Sequence, residues 1–325
     1  MRELEGLRAK KLPLVAPRAP LGGLAFGKAC LAQALPESVA FRDLTSGEAF
    51  AEAAIGAPRA IAVRPGGGLL ALGAHGSARL EPAERSPHSL GAASFFPGSW
   101  LLPDLEDRMR FYVMYPSGQQ IFRYDIGEAI AGMLPIAEQH TLAGYAGALT
   151  LTRDGAFVYA TDHGEIARSA PRGSHTIFPR AAGQALPWRL LPAERLDEVW
   201  SVADDGQVEL LELARGLPVP KRFRVDGQPF EVAANHDSLA FIVTSLVDSD
   251  AGARSWSLLV VDFDGHERFK IELPAPEIGT DDAWFEKLAH GKELALSAFA
   301  PLVAVGGSAA VQVFDYRTRT KVFAR

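Results

Sequence analysis

The sequence predicts an all-β fold of seven four-stranded antiparallel sheets arranged radially, with short helices confined to loop insertions. Three observations carry this. Phrases recur: Val39-Ala40-Phe41-Arg42-Asp43-Leu44-Thr45-Ser46-Gly47 resembles Val311-Gln312-Val313-Phe314-Asp315-Tyr316-Arg317-Thr318, each an alternating strand, an Asp and a polar turn. A strand–turn–strand phrase at 61–73 returns at 148–160. Repeats fix an architecture before any local assignment. Next, Asp154-Gly155, Asp205-Gly206 and Asp264-Gly265 interrupt apolar runs, and such turns need a residue at ease with positive φ. Finally, 48% of the 325 residues are hydrophobic, and 31 Gly and 22 Pro fall between the apolar runs. That composition suits a large core cut into many short strands.

The elements follow in order. Unit one spans about 22–54, with middle strands at 29–33 and 39–43. Unit two begins at Ile61 and turns at Gly66-Gly67-Gly68. Unit three takes 94–96, 110–114 and 120–125; unit four takes 149–152, 156–160 and 165–168. Unit five takes 188–191, 198–202 and 207–213; the basic run Lys221-Arg222-Phe223-Arg224 reads as a charge-guarded outer edge. Unit six takes 231–234, 239–244, 257–262 and 267–273, and unit seven 294–298, 302–305, 311–315 and 321–324. Each is an apolar or alternating run of strand length bounded by turn residues. One such sheet cannot hide both faces, whereas seven stacked radially bury each against a neighbour.

These units resemble WD40-type β-propeller blades. In that family the third strand ends in Trp-Asp; here Arg42-Asp43, Tyr124-Asp125, Val261-Asp262 and Phe314-Asp315 occupy the slot. The family's Ser-Pro-Asp-Gly turn appears as Arg64-Pro65-Gly66-Gly67, Thr152-Arg153-Asp154-Gly155 and, more loosely, Ala234-Asn235-His236-Asp237. The resemblance is degenerate and covers residues 21–325 as one domain. It implies a seven-bladed β-propeller. No Trp-Asp pair stands in that slot and no Gly-His dipeptide stands in the family's place for it, so the expectation is that packing, not the usual polar network, holds the blades. Residues 12–15 read as an extra outer strand or as the strand that latches the last blade.

Charge and cysteine content narrow the function classes. A net charge of −6 argues against general nucleic-acid binding, which needs a basic face. Cys30 is the single cysteine, so no intrachain disulfide or multi-cysteine metal site exists; its apolar neighbours mark it as a small buried hydrophobe. No apolar run is long enough for a membrane helix, and the charged start followed by Pro17 does not read as a secretory signal. A cytoplasmic protein is expected. Residues 1–20 form a basic tail or closing strand, carrying Arg2, Arg8, Lys10, Lys11 and Arg18 against Glu3 and Glu5.

Loops longer than the repeat requires are the expected carriers of function. Residues 245–255 and 274–292 project from one face by propeller topology. The second contains Asp281, Asp282, Trp284, Phe285 and Leu288, and reads as a short helix capped by an Asp and ended by Gly291. Trp284 and Leu288 share a helical face, suited either to anchoring a partner or to stapling the loop. The acidic residues Asp248, Asp250, Asp281 and Asp282 rim this region. On the opposite face, a long first loop in unit three carries Trp100 and Leu101, and the connection from Asp125 to Pro135 adds a capping pattern, Asp125 with Glu128. These form a second apolar candidate surface.

The enzymatic alternative is a metal-dependent propeller hydrolase or lactonase, with carboxylates and an Asn aimed at a metal in the central channel. Asn235, the chain's one Asn, sits in a tight turn, and turn service explains it. Asp248-Ser249-Asp250 opens like a calcium loop, but its twelfth position is Leu259 where a Glu is needed. His75-Gly76 and His163-Gly164 fall in equivalent turns of different units, too far apart around a ring to share a metal. Neither a nucleophile elbow nor a phosphate loop occurs. The sequence therefore points to a non-enzymatic scaffold or regulatory subunit without cofactor or metal. Its partner is a protein or peptide, and acidic rims favour a basic one.

Overall fold

The computed structural model describes residues 23–92, 95–96, 99–115, 118–127, 133–144, 146–161, 164–169, 175–179, 185–214, 217–248, 253–274, 293–306 and 310–325. They form seven four-stranded sheets, each built from four consecutive strands paired antiparallel. Blade one is β1 (Leu24–Phe26), β2 (Cys30–Ala34), β3 (Ser38–Asp43) and β4 (Ala49–Ala54). Blade two is β5 (Pro58–Val63), β6 (Leu69–Gly73), β7 (Ser77–Leu80) and β8 (His88–Gly91). Blade three is β9 (Trp100–Pro103), β10 (Arg110–Met114), β11 (Gln120–Asp125) and β12 (Ile136–Thr141). Blade four is β13 (Ala146–Leu151), β14 (Phe157–Thr161), β15 (Ile166–Ser169) and β16 (His175–Phe178). Blade five is β17 (Pro187–Pro192), β18 (Glu198–Ala203), β19 (Gln207–Glu212) and β20 (Leu217–Arg224). Blade six is β21 (Gln228–Ala234), β22 (Ser238–Asp248), β23 (Ala253–Asp262) and β24 (Glu267–Leu273). Blade seven is β25 (Glu293–Leu296), β26 (Leu302–Gly306), β27 (Val311–Asp315) and β28 (Thr320–Ala324).

The first strand of each blade touches the first strands on either side, and β25 touches β1, so the ring closes. Residues 12–15 lie outside the described residues. Among those described, blade seven meets blade one by packing, without a shared strand.

The core is divided among the joints. Seven buried apolar clusters are each shared by two adjacent blades. Strand alternation explains how one strand serves two joints. Leu69 and Ala71 of β6 point to the joint with blade one, while Leu70 and Leu72 point to the joint with blade three. Phe157 and Tyr159 face blade three, and Val158 and Ala160 face blade five. Middle strands are thus buried on both sides and read as near-continuous apolar runs. Fully burying one such side chain contributes about 1.5–3 kcal/mol.

The recurring Asp has a local cause. Asp43, Asp125, Asp262 and Asp315 end the third strands of blades one, three, six and seven. Asp43 Oδ1 accepts the N–H groups of Thr45 and Ser46, and Asp315 Oδ1 those of Arg317 and Thr318. The carboxylate closes the turn by taking backbone donors the sheet leaves unpaired. Those bonds from Ser46 and Thr45 hold the Asp43 carboxyl below its ordinary range.

Several expectations need correction. The first strand of unit three is β9, not 94–96; Trp-Leu-Leu sits in the sheet rather than in a long loop. Residues 245–255 are largely strand, because β22 and β23 continue as a two-stranded ribbon with Asp248 paired to Ala253. A polar network also joins blades six and seven, where packing alone was expected. Asn235 Nδ2 donates to the Ser297 carbonyl at 2.8 Å and to Tyr316 Oη at 3.3 Å. Asp237 accepts from Ser238 Oγ, Arg268 and Arg317 at 2.8, 2.9 and 3.4 Å, and from Tyr316 Oη at 3.3 Å. The expected helix at 281–290 lies outside the described residues. A short 3-10 turn at Pro65–Gly67 is the helical element that is described.

Candidate interaction face and central channel

Turns after the first and third strands of the blades open on one face of the ring. Among the described residues, its exposed large apolar side chains are Met109, Leu196 and Phe299 from first turns, Met133 in the third connection of blade three and Ile136 at the start of β12. Three of the five thus fall at one end of blade three: Met109 is 37%, Met133 64% and Ile136 53% exposed. Their backbone is fixed. Asp104 Oδ1 accepts the N–H groups of Glu106 and Asp107, both at 2.9 Å, and Asp107 Oδ1 accepts that of Met109 at 2.8 Å. The Met109 carbonyl in turn accepts from the Ile126 N–H at 2.6 Å. Met133 bridges to Ala92 of the preceding blade, and the buried side chains of Ile126 and Leu134 anchor the connection from below.

Charge surrounds this patch. Arg110 lies 3.7 Å from Asp104, 3.4 Å from Asp107 and 3.5 Å from Asp125. Arg123 joins Asp125 and Glu138. Four carboxylates against two guanidinium groups leave the network acidic. Burial, and next to it the Asp104 charge, raise the pKa of Tyr112 inside it, where its hydroxyl donates to Asp104 Oδ2 at 3.4 Å.

The expected anchors fall differently. Trp100 is 2% exposed within the joint of blades three and four, and Leu101 is half-buried against the joint of blades two and three. Trp100 presents no apolar surface to a partner, because β9 draws it into the sheet; Leu101 keeps part of its surface. Asp248 stands at the end of β22. Asp250, Asp281, Asp282, Trp284, Phe285 and Leu288 lie outside the described residues. Met109 and Met133 fall in the two unit-three segments expected to form the second apolar surface but were not singled out there, and Ile136, at the start of β12, was missed; a Met beside a buried anchor has no distinguishing pattern. The available signal was the capping pattern at Asp125, which marked the right connection.

The seven inner strands carry four charged residues: Arg59, Arg189, Glu231 and Glu293. β-Bulges between Pro187 and Arg189, and between Pro229 and Glu231, re-aim the side chains that follow. Arg189 pairs with Glu231 at 3.3 Å, both under 6% exposed, and its guanidinium stacks over Trp188 at 4.6 Å and Trp100 at 5.7 Å. Glu293 is buried beside them. Burial, then the Glu231 charge, raise its pKa to about 8. An Arg–Glu pair with one further carboxyl holds a proton more readily than a divalent ion, which takes six or more oxygens. Three ligand atoms of Asp262, Asp264 and His266 do converge within 4.8 Å in the turn after β23. Asp262 Oδ1 there accepts the N–H groups of Asp264 and His266, so turn closure accounts for the group. Asn235 serves its turn as expected, accepting from the N–H groups of Asp237 and Ser238. Cys30 is buried, and that burial pushes its thiol up to about 11, as suits an inert core residue.

This chain is a seven-bladed β-propeller. Solved structures share the fold. Kluyveromyces lactis Hsv2 superposes with a TM-score of 0.57 at 10% identity, over 93% of this chain and 95% of that one. A chain of the mitotic checkpoint complex gives a TM-score of 0.59 at 14% identity, over 90% and 88%. Chaetomium thermophilum Raptor gives 0.61 at 13% identity, over 90% of this chain and 27% of that one. No family model and no curated protein sequence matches the chain. At such identities the likeness speaks for the fold alone.

Proposed function

We propose that this propeller is a non-enzymatic interaction scaffold, a regulatory subunit that holds a protein or peptide partner on its loop faces. One observation carries the reading: Met109, Met133 and Ile136 are exposed at one end of blade three, with Met109 held by Asp107 and Ile126 and Met133 bridged to Ala92. A grouped apolar surface on a rigid support suits docking, because little order is lost on binding. The surplus of Asp104, Asp107, Asp125 and Glu138 over Arg110 and Arg123 extends the reading to a basic partner. A second surface, on the opposite face, comprises Asp248 and Asp250 with Asp281, Asp282, Trp284, Phe285 and Leu288. One matching chain belongs to a protein assembly, the mitotic checkpoint complex, which is in keeping with a scaffold role. No helix among the described residues is long and apolar enough to cross a membrane, and we place the protein in the cytoplasm.

The test uses two surface variants of the full chain, Met109→Ser/Met133→Ser/Ile136→Ser and Trp284→Ala/Leu288→Ala. Both are compared with the native protein in crosslinking capture from cell lysate. The triple variant is expected to keep its thermal midpoint and lose a stoichiometric partner. Loss by the Trp284 variant instead moves the site to the other face. Retention by both sinks the scaffold reading at these surfaces.

A further inference from the structure

We propose that Glu293 is a proton-operated latch of the ring, closing the joint between blades seven and one when protonated and loosening it when ionised. The proposal stands on where the residue sits. β25 opens with Glu293, and its carboxyl lies directly over Gly23 at the entry to β1. A Cβ on Gly23 would meet all three atoms of that carboxyl, so a side chain there would have to displace Glu293 from the joint. Glu293 is 8% exposed, and its Oε2 has no hydrogen-bond partner.

Among the described residues, the charges around it offer no relief. The strands packed against β25 are β1, β21, β22 and β26. β1 and β26 carry no charged residue. β22 carries Asp248 alone, at its far end from the turn that holds His236 and Asp237. β21 contributes Glu231, a like charge, whose guanidinium partner Arg189 is already engaged with it and stacked on Trp188. Arg59, the remaining charge of the inner strands, stands on blade two. Among the described residues, an ionised Glu293 is therefore a buried anion without a counter-charge, beside a second carboxylate, at the one joint whose two blades are not adjacent in sequence. Such a charge is relieved by taking up a proton or by letting in water. Opening the joint does the latter. Burial and Glu231 together place the changeover near pH 8.

Hydrogen exchange of the full chain followed from pH 6 to pH 9.5 tests this, with rates corrected for intrinsic chemistry. Peptides covering β1 and β25 are expected to lose protection roughly tenfold as pH rises through the changeover. Peptides from blade five should stay constant. Glu293→Gln should hold β1 and β25 protected throughout. Glu231→Gln removes the like charge and should move the changeover to lower pH, which keeps the test valid if the first variant fails to fold. Equal protection of β1 and β25 at all pH values in the native protein overturns the proposal, as does a loss shared by every blade.

Discussion

Blade seven is joined to its two neighbours by different means. Toward blade six it shares an apolar cluster rich in large rings, with Trp256, Phe269, Phe314 and Tyr316, topped by the hydrogen-bond hub of Asp237. Toward blade one it shares a cluster of mostly smaller side chains, such as Leu24, Ala295, Val311 and Val313, with Phe26 and Phe323. That side has no comparable hub among the described residues. Two glycines instead permit close approach: Gly23 beneath Glu293, and Gly47 beneath the ring of Phe323. The first joint is fixed by directional bonds over a deep core, the second by shape. A joint made by shape tolerates little added volume and has no spare polar group to absorb a buried charge.

Substitutions at the two joints sharpen this contrast. Trp256→Ala should cost the most, about 3–5 kcal/mol in urea unfolding, since it empties the centre of the joint between blades six and seven. A loss under ~1 kcal/mol would mean that this joint does not rest on its aromatic core. Asp237→Ala should cost about 2–3 kcal/mol, because Arg268 and Tyr316 lose a common acceptor. Tyr316→Phe should cost less, and equal losses would show that Asp237 does not act as the hub.

At the other joint, Gly23→Ala should cost about 1–3 kcal/mol by overpacking, with much of the loss recovered in a Glu293→Ala background. Additive effects would separate the two residues. The pH dependence has a defined sign. The folded pKa of Glu293, about 8, lies above its ordinary 4.5, so the folded chain binds the extra proton between these values. Its contribution is full below pH 4.5, declines as pH rises and is lost above about 8. Glu293→Gln should remove that decline and gain roughly 1–3 kcal/mol at pH 8.5. Arg325→Ala, which gives up an exposed bond to the Ser46 carbonyl, should cost under about 0.5 kcal/mol.

What the sequence disclosed follows the range of the interactions. Turn-closing Asp43, Asp262 and Asp315 were legible because each acts on residues a few positions away, and Asp125 because it ends an alternating run. So were the antiparallel four-strand units, which are contiguous in the chain. Trp100 was misplaced because β9 is a four-residue strand closed by Pro103, which reads as loop. The ribbon of blade six was missed because Asp248 and Ser255 look like turn residues while the β22–β23 pairing takes in both. The Asp237 hub joins residues 79 and 80 apart, and the inner-strand charges come from separate blades; neither leaves a local pattern.

The contiguity of every blade has a kinetic consequence. Six of the seven joints link blades that follow one another in the chain and can form as the polypeptide leaves the ribosome. The joint of β25 with β1 instead brings together residues at opposite ends of the ring-forming sequence. Closing it spans nearly the whole ring-forming sequence, so of the seven joints it carries the largest loop-closure entropy.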